Sequence, residues 1–125
     1  MPLTFDWPLD KSFPAIIYPK QSKARVVLEL LAKEFKENHG YLSRHAVSEF
    51  ASSIQAGKYI WHNAEFRASR KYVYMVIKDL IKMGMIQYRH GYVGSKLKEG
   101  YFIEFTEFEK RLKTIARHWK EYFQK

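Results

Sequence analysis

Residues 69–91, SRKYVYMVIKDLIKMGMIQYRHG, decide how the rest of the chain is read. Val73, Val76, Ile77, Leu80 and Ile81 recur at helical spacing and form one apolar stripe, which Met83 extends. Ser69 stands where a helix N-cap belongs, and Gly84 where a helix stops. Arg70, Lys71, Tyr74, Lys78 and Lys82 fall largely off the stripe. After Gly84 the pattern changes to Met85–Val93, rich in Tyr, Ile and Val with partial alternation, which predicts a strand.

Gly94–Gly100 then reads as a flexible loop closed by glycines. Tyr101–Phe105 returns as a second strand, with Tyr101, Ile103 and Phe105 on one face. Thr106-x-x-Glu109 has the capping-box spacing and predicts a last helix. Its apolar residues are Phe108, Leu112, Ile115, Ala116, Trp119 and Phe123, spaced four, three, one, three and four apart. On the N-terminal side, Gln55–Arg67 reads as a long connection, with Asn63 capping one helical turn at Ala64–Phe66. Before it, Ser43 caps a helix that buries Ala46, Val47, Phe50, Ala51 and Ile54. Tyr41–Leu42 reads as a very short strand. Another helix runs from Ser22 to before Gly40, with Ala24, Val27, Leu28, Leu31 and Phe35 inward. All four prolines fall in residues 1–20, which predicts an extended or turn-like arm. That arm carries Phe5, Trp7, Phe13, Ile16, Ile17 and Tyr18, too apolar to hang free.

Composition bounds the function. The chain has 125 residues, 46% of them hydrophobic, no cysteine and a formal net charge of +9. Disulfides and thiolate metal sites are excluded, and the lack of cysteine fits a reducing cytoplasm. No apolar run approaches the ~18 residues a membrane span needs, and the Asp- and Pro-bearing start does not read as a signal peptide. The basic excess is uneven: residues 67–100 hold eight basic and two acidic groups. A basic surface of this kind points to nucleic acid. No Gly-rich phosphate loop or Cys nucleophile is present, so no enzyme activity and no cofactor are expected. His45 and Glu49 lie one helical turn apart, but two ligands do not make a metal site.

The order helix, short strand, helix, helix, strand, loop, strand, helix resembles the winged helix-turn-helix family over roughly residues 22–106. The motif that carries the resemblance is SRKYVYMVIKDLIKMGMIQYRHG, in which Leu80, Gly84, Met85 and Ile86 match the end of a recognition helix and the opening of a wing in the MarR-like and PadR-like groups. The resemblance implies an α+β, mostly helical fold and three parts: an aromatic arm (1–20), a winged DNA-binding domain (21–106) and a C-terminal dimerisation helix (107–125). It also implies a homodimeric regulator of transcription that reads double-stranded DNA. Helix N-terminal residues usually reach base edges, which selects Arg67, Ser69, Arg70, Lys71, Tyr72, Tyr74 and Lys78. The wing adds Arg89, His90, Lys96 and Lys98. Arg89 has a competing role in a local ion pair, and the lysines in keeping a hairpin edge soluble. Phe108, Leu112, Ile115, Trp119 and Phe123 are the expected dimer contacts, with packing inside a monomer as the alternative. Other outcomes of the same fold are a partition protein that spreads along DNA and a protein-docking module.

Overall fold

The computed structural model describes residues 12–20 and 22–124; the arm's Phe5 and Trp7 lie outside them. The chain is α+β and mostly helical, with a small antiparallel sheet. The elements are α1 (Phe13–Ile17), α2 (Ser22–Glu37), β1 (Tyr41–Leu42), α3 (Arg44–Gln55), β2 (Tyr59–Trp61), β3 (Ala64–Phe66), α4 (Arg70–Met83), β4 (Ile86–Val93), β5 (Lys96–Ile103) and α5 (Thr106–Phe123). No helix among the described residues is long and apolar enough to cross a membrane.

The core lies where α2, α3 and α4 meet the root of the sheet. Val27, Leu31, Phe35, Val47, Ile54, Val73, Val76 and Ile86 are essentially removed from solvent there. Each such aliphatic side chain contributes ~1.5–3 kcal/mol of transfer free energy, enough to override the β-branched residues' weak helix propensity. Val26 and Leu30 are buried as well as the expected stripe of α2. Ile81 is exposed, so the α4 stripe stops at Leu80 on that side.

Part of the proline-rich arm is helical rather than extended or turn-like. Pro14 sits in the first turn of α1, where its missing N–H costs nothing. Tyr18 then turns inward and donates to Asp79 on α4 at 2.5 Å, while Arg25 donates to the carbonyls of Tyr18 and Pro19.

The three-stranded sheet has the order β1-β5-β4. The expected seven-residue loop at 94–100 is absent. β4 and β5 pair in register from Ile86↔Ile103 to Val93↔Lys96, leaving only Gly94 and Ser95 as the turn. Gly94 has φ +63, as the first central position of a type II′ turn requires. Tyr101 and Ile103 share one face of β5 and Phe102 takes the other, as expected, but the strand ends at Ile103, so Phe105 lies beyond it and is largely exposed; Phe102 is the buried one and Tyr101 and Ile103 are half-buried. Phe102 is covered by Tyr41, with ring centroids 4.9 Å apart, and by the Arg89 guanidinium 4.2 Å above its ring.

Residues 55–67 are not a connection with a helical turn. β2 and β3 form a tight hairpin, Tyr59↔Phe66 to Trp61↔Ala64. Its turn residues His62 and Asn63 have φ +51 and +62, the pattern of a type I′ turn, in which Asn is well tolerated. The hairpin is held to α2 by side chains: Tyr59 donates to Glu34 at 2.7 Å and Trp61 to Glu29 at 2.6 Å.

Candidate nucleic-acid interface

Two helices and the β4–β5 hairpin supply the basic residues of the candidate surface. α3 begins at Ser43, whose hydroxyl accepts from the Ala46 amide at 3.0 Å, and this cap presents Arg44 at the first helical position. α4 begins after Ser69, which occupies the N-cap position without a side-chain cap bond. The helix ends at Gly84, φ +79, with its amide bonded to Ile81 and Leu80 carbonyls. No L-residue with a Cβ adopts that conformation cheaply.

The expected DNA-facing residues separate into three groups. Lys71, Lys78, Lys96 and Lys98 are exposed and join no ion pair among the described residues. Tyr74 is exposed beside them on α4. A second group is already engaged. Arg70 is half-buried and reaches across to α3, donating to the Ser48 carbonyl and Ser48 Oγ at 3.2 Å, to Ser52 Oγ, and to Tyr74 Oη at 3.4 Å. Its donors brace one helix against the other. Arg67 pairs with Glu65 at 2.6 Å, and Tyr72 is half-buried against the core with Lys23 over its ring. The third group is divided by the pleat. Arg89, Lys96 and Lys98 share the face that carries Phe102, whereas His90 shares the opposite face with Tyr88, Tyr92, Leu97 and Glu99. Tyr92 and Leu97 form a cross-strand pair near the tip, 73% and 59% exposed.

The acidic side chains of the basic segment are both occupied. Asp79 accepts from Tyr18. Glu99 accepts from Tyr88 at 3.0 Å and lies 3.6 Å from His90. Neither forms an ion pair with a lysine among the described residues.

Arg44 is a member that the sequence reading missed. It faces Tyr88 and Tyr101, so the start of α3 meets the root of the hairpin. Burial and the Glu99 hydrogen bond push the Tyr88 phenol up, against the opposing pull of Arg44. Tyr101 is pushed up by burial and by Tyr74, again opposed by Arg44. Tyr88 and Tyr101 pack edge-on with ring centroids 5.0 Å apart, with Arg44 near both phenols. The only sequence signal for Arg44 was its place immediately after the Ser43 cap.

His45 and Glu49 satisfy each other at 3.0 Å. No protein-family model, curated protein or solved structure matches the chain.

Proposed function

We propose that the chain is a winged helix-turn-helix protein that binds double-stranded DNA as a homodimer, with α4 as recognition helix, the β4–β5 hairpin as wing, and regulation of transcription as its role. The observation that carries this reading is the basic excess of residues 67–100, eight basic groups against two acidic: Lys71, Lys78, Lys96 and Lys98 are exposed and unpaired among the described residues, while Asp79 and Glu99 face Tyr18, Tyr88 and His90 rather than a lysine. Such a surface gains free energy from polyanions by displacing their counterions.

An α-helix of the diameter of α4 fits the major groove, where Lys71 and Lys78 would reach phosphates and Tyr74 a base edge. Arg44, at the foot of the hairpin, adds a phosphate contact from the preceding helix. Lys96 and Lys98 follow the adjacent backbone, and the Tyr92–Leu97 pair meets the apolar walls of the minor groove. Arg70 serves the interface indirectly, by fixing α4 on α3.

Fluorescence anisotropy with a mixed-sequence duplex at a series of salt concentrations tests the reading. Binding should weaken steeply as salt rises. Replacing Lys71, Lys78, Lys96 and Lys98 together by Ala should flatten the log–log salt slope by up to about 3.6, at ~0.9 for each phosphate that is no longer neutralised. Absence of duplex binding at low salt removes the proposal.

A further inference from the structure

α5 leaves the body as an almost bare rod. None of its 18 residues is buried. Its root is fixed: Arg111 donates to the Lys82 carbonyl and pairs with Glu107 at 3.0 Å, and Phe108 rests half-buried on the core. Beyond Thr114 none of the described residues of the same chain covers it. Ile115, Trp119, Tyr122 and Phe123 lie on one side, each between 64% and 76% exposed, and the Phe123 ring touches both Trp119 and Tyr122.

Beside the root of the same helix is an apolar cavity of about 330 Å³, walled by Phe13, Leu28, Ala32, Phe35, Phe105 and Phe108 among others. Its own α5 cannot fill it. Phe123 lies fifteen residues beyond Phe108, ~22 Å away along a continuous helix.

The apolar positions 108, 112, 115, 116, 119 and 123 are spaced four, three, one, three and four apart, a series that reads the same in reverse. A second copy laid antiparallel therefore matches apolar to apolar throughout. Phe108 meets Phe123 of the second copy, Leu112 meets its Trp119, and Ile115 meets its Ala116. In this antiparallel two-fold pair the same flank of each helix faces itself, which brings Lys120 of the second copy near Glu109, itself paired with Lys113 at 3.0 Å, twice. A parallel pair would set Phe123 beside Phe123 and leave both cavities open.

We propose that two copies associate through antiparallel α5 helices, and that each cavity is completed by Phe123 of the other copy, with Trp119 behind it. Phe13, Phe105, Ile115, Trp119, Tyr122 and Phe123 are the main exposed side chains covered. At ~100–150 Å² each they remove roughly 700 Å² per copy, close to the ~800 Å² per partner of a stable interface. This specifies the homodimer proposed above but needs no DNA, so loss of duplex binding and loss of the dimer are separate outcomes.

The chain has no cysteine, so single cysteines can be placed cleanly. Full-length Glu109→Cys and Lys120→Cys chains, each alone and mixed, are treated with a short bis-maleimide crosslinker. The antiparallel pair gives a covalent dimer in the mixture and little from either chain alone; homotypic products from the single chains would overturn it. Light scattering without DNA provides the second measurement. The unmodified chain should be dimeric at tens of micromolar. The double variant Trp119→Ser/Phe123→Ser should be monomeric with unchanged helical circular dichroism. Ala32→Trp, which fills the cavity at its exposed rim, should weaken association at least tenfold. A monomeric parent chain, or a dimer indifferent to Ala32→Trp, refutes the proposal.

Discussion

Arg70→Ala separates a structural brace from a DNA contact. The side chain makes four hydrogen bonds from α4, and the three to α3 are the ones that join the helices: the Ser48 carbonyl and hydroxyl at 3.2 Å, and Ser52 Oγ. The fourth, to Tyr74 Oη at 3.4 Å, lies within α4 and is long. Hydrogen bonds from a charged donor contribute ~1.5–3 kcal/mol when well desolvated, and this guanidinium is only half-buried. Solvent screening reduces the total, so the expected loss on truncation is about 1.5 kcal/mol. Urea unfolding followed by circular dichroism measures it as a lower midpoint at constant slope. Arg70→Lys keeps the charge but cannot span Ser48 and Ser52 together, so it should be nearly as destabilising. Anisotropy supplies the contrast: Lys71→Ala should reduce the salt slope by ~0.9, whereas Arg70→Lys should leave the slope unchanged. If Arg70→Ala unfolds within ~0.5 kcal/mol of the parent and lowers the salt slope as Lys71→Ala does, the brace reasoning fails.

Other outcomes follow from the same geometry. Burial, then the hydrogen bond and charge of Asp79, push the Tyr18 phenol well above its ordinary value of 10.0. Its folded-state pKa is raised, so its stabilising contribution is complete below about pH 10 and is lost as pH rises beyond it; Tyr18→Phe should show a shallower alkaline loss of stability, read from unfolding midpoints across that range. Trp61→Phe removes the bond to Glu29 and should cost about 1 kcal/mol, with faster amide exchange in β2 and β3 if that bond anchors the hairpin. Gly84→Ala forces a Cβ onto a left-handed residue, 2.9 Å from Glu107 and 3.1 Å from Arg111; a loss of at least ~1 kcal/mol is expected in thermal melts, and a neutral substitution would contradict the assigned C-cap geometry.

The helices were legible because their information is local. Val73, Val76, Ile77 and Leu80 state the period, and Gly84 states the end, all within one helix. The β2–β3 hairpin was illegible for the opposite reason. Its strands are three residues long, and what fixes them are Glu29 and Glu34 on α2, far back in the sequence. Gly100 misled in a similar way. It reads as the end of a loop, yet it lies within β5, where a Cβ would come 2.7 Å from the Leu42 carbonyl. The capping box at Thr106 did not form. Thr106 is the first helical residue, and its amide is bound by Glu104 from outside the motif. In the candidate interface, residue type gave the lysines correctly as solvated groups. It could not show that Arg70 spends its donors on two serines of α3, because nothing in the sequence places Ser48 and Ser52 one helix away from it.

β1 is only two residues long, but it ties Tyr41 and Leu42 to Phe102 and Tyr101. Everything from α3 through the β4–β5 hairpin is therefore threaded between two partners that must meet for the sheet to close. During synthesis the first three long helices leave the ribosome before β5 exists. Leu42, Ile86 and the inner side of α2 then have no sheet edge or second strand against them. The β1–β5 pairing can therefore form only once residue 102 is free, and a chain stalled before that point is expected to expose Leu42 and Ile86. Two residues of strand thus make closure of the sheet wait for nearly the whole chain.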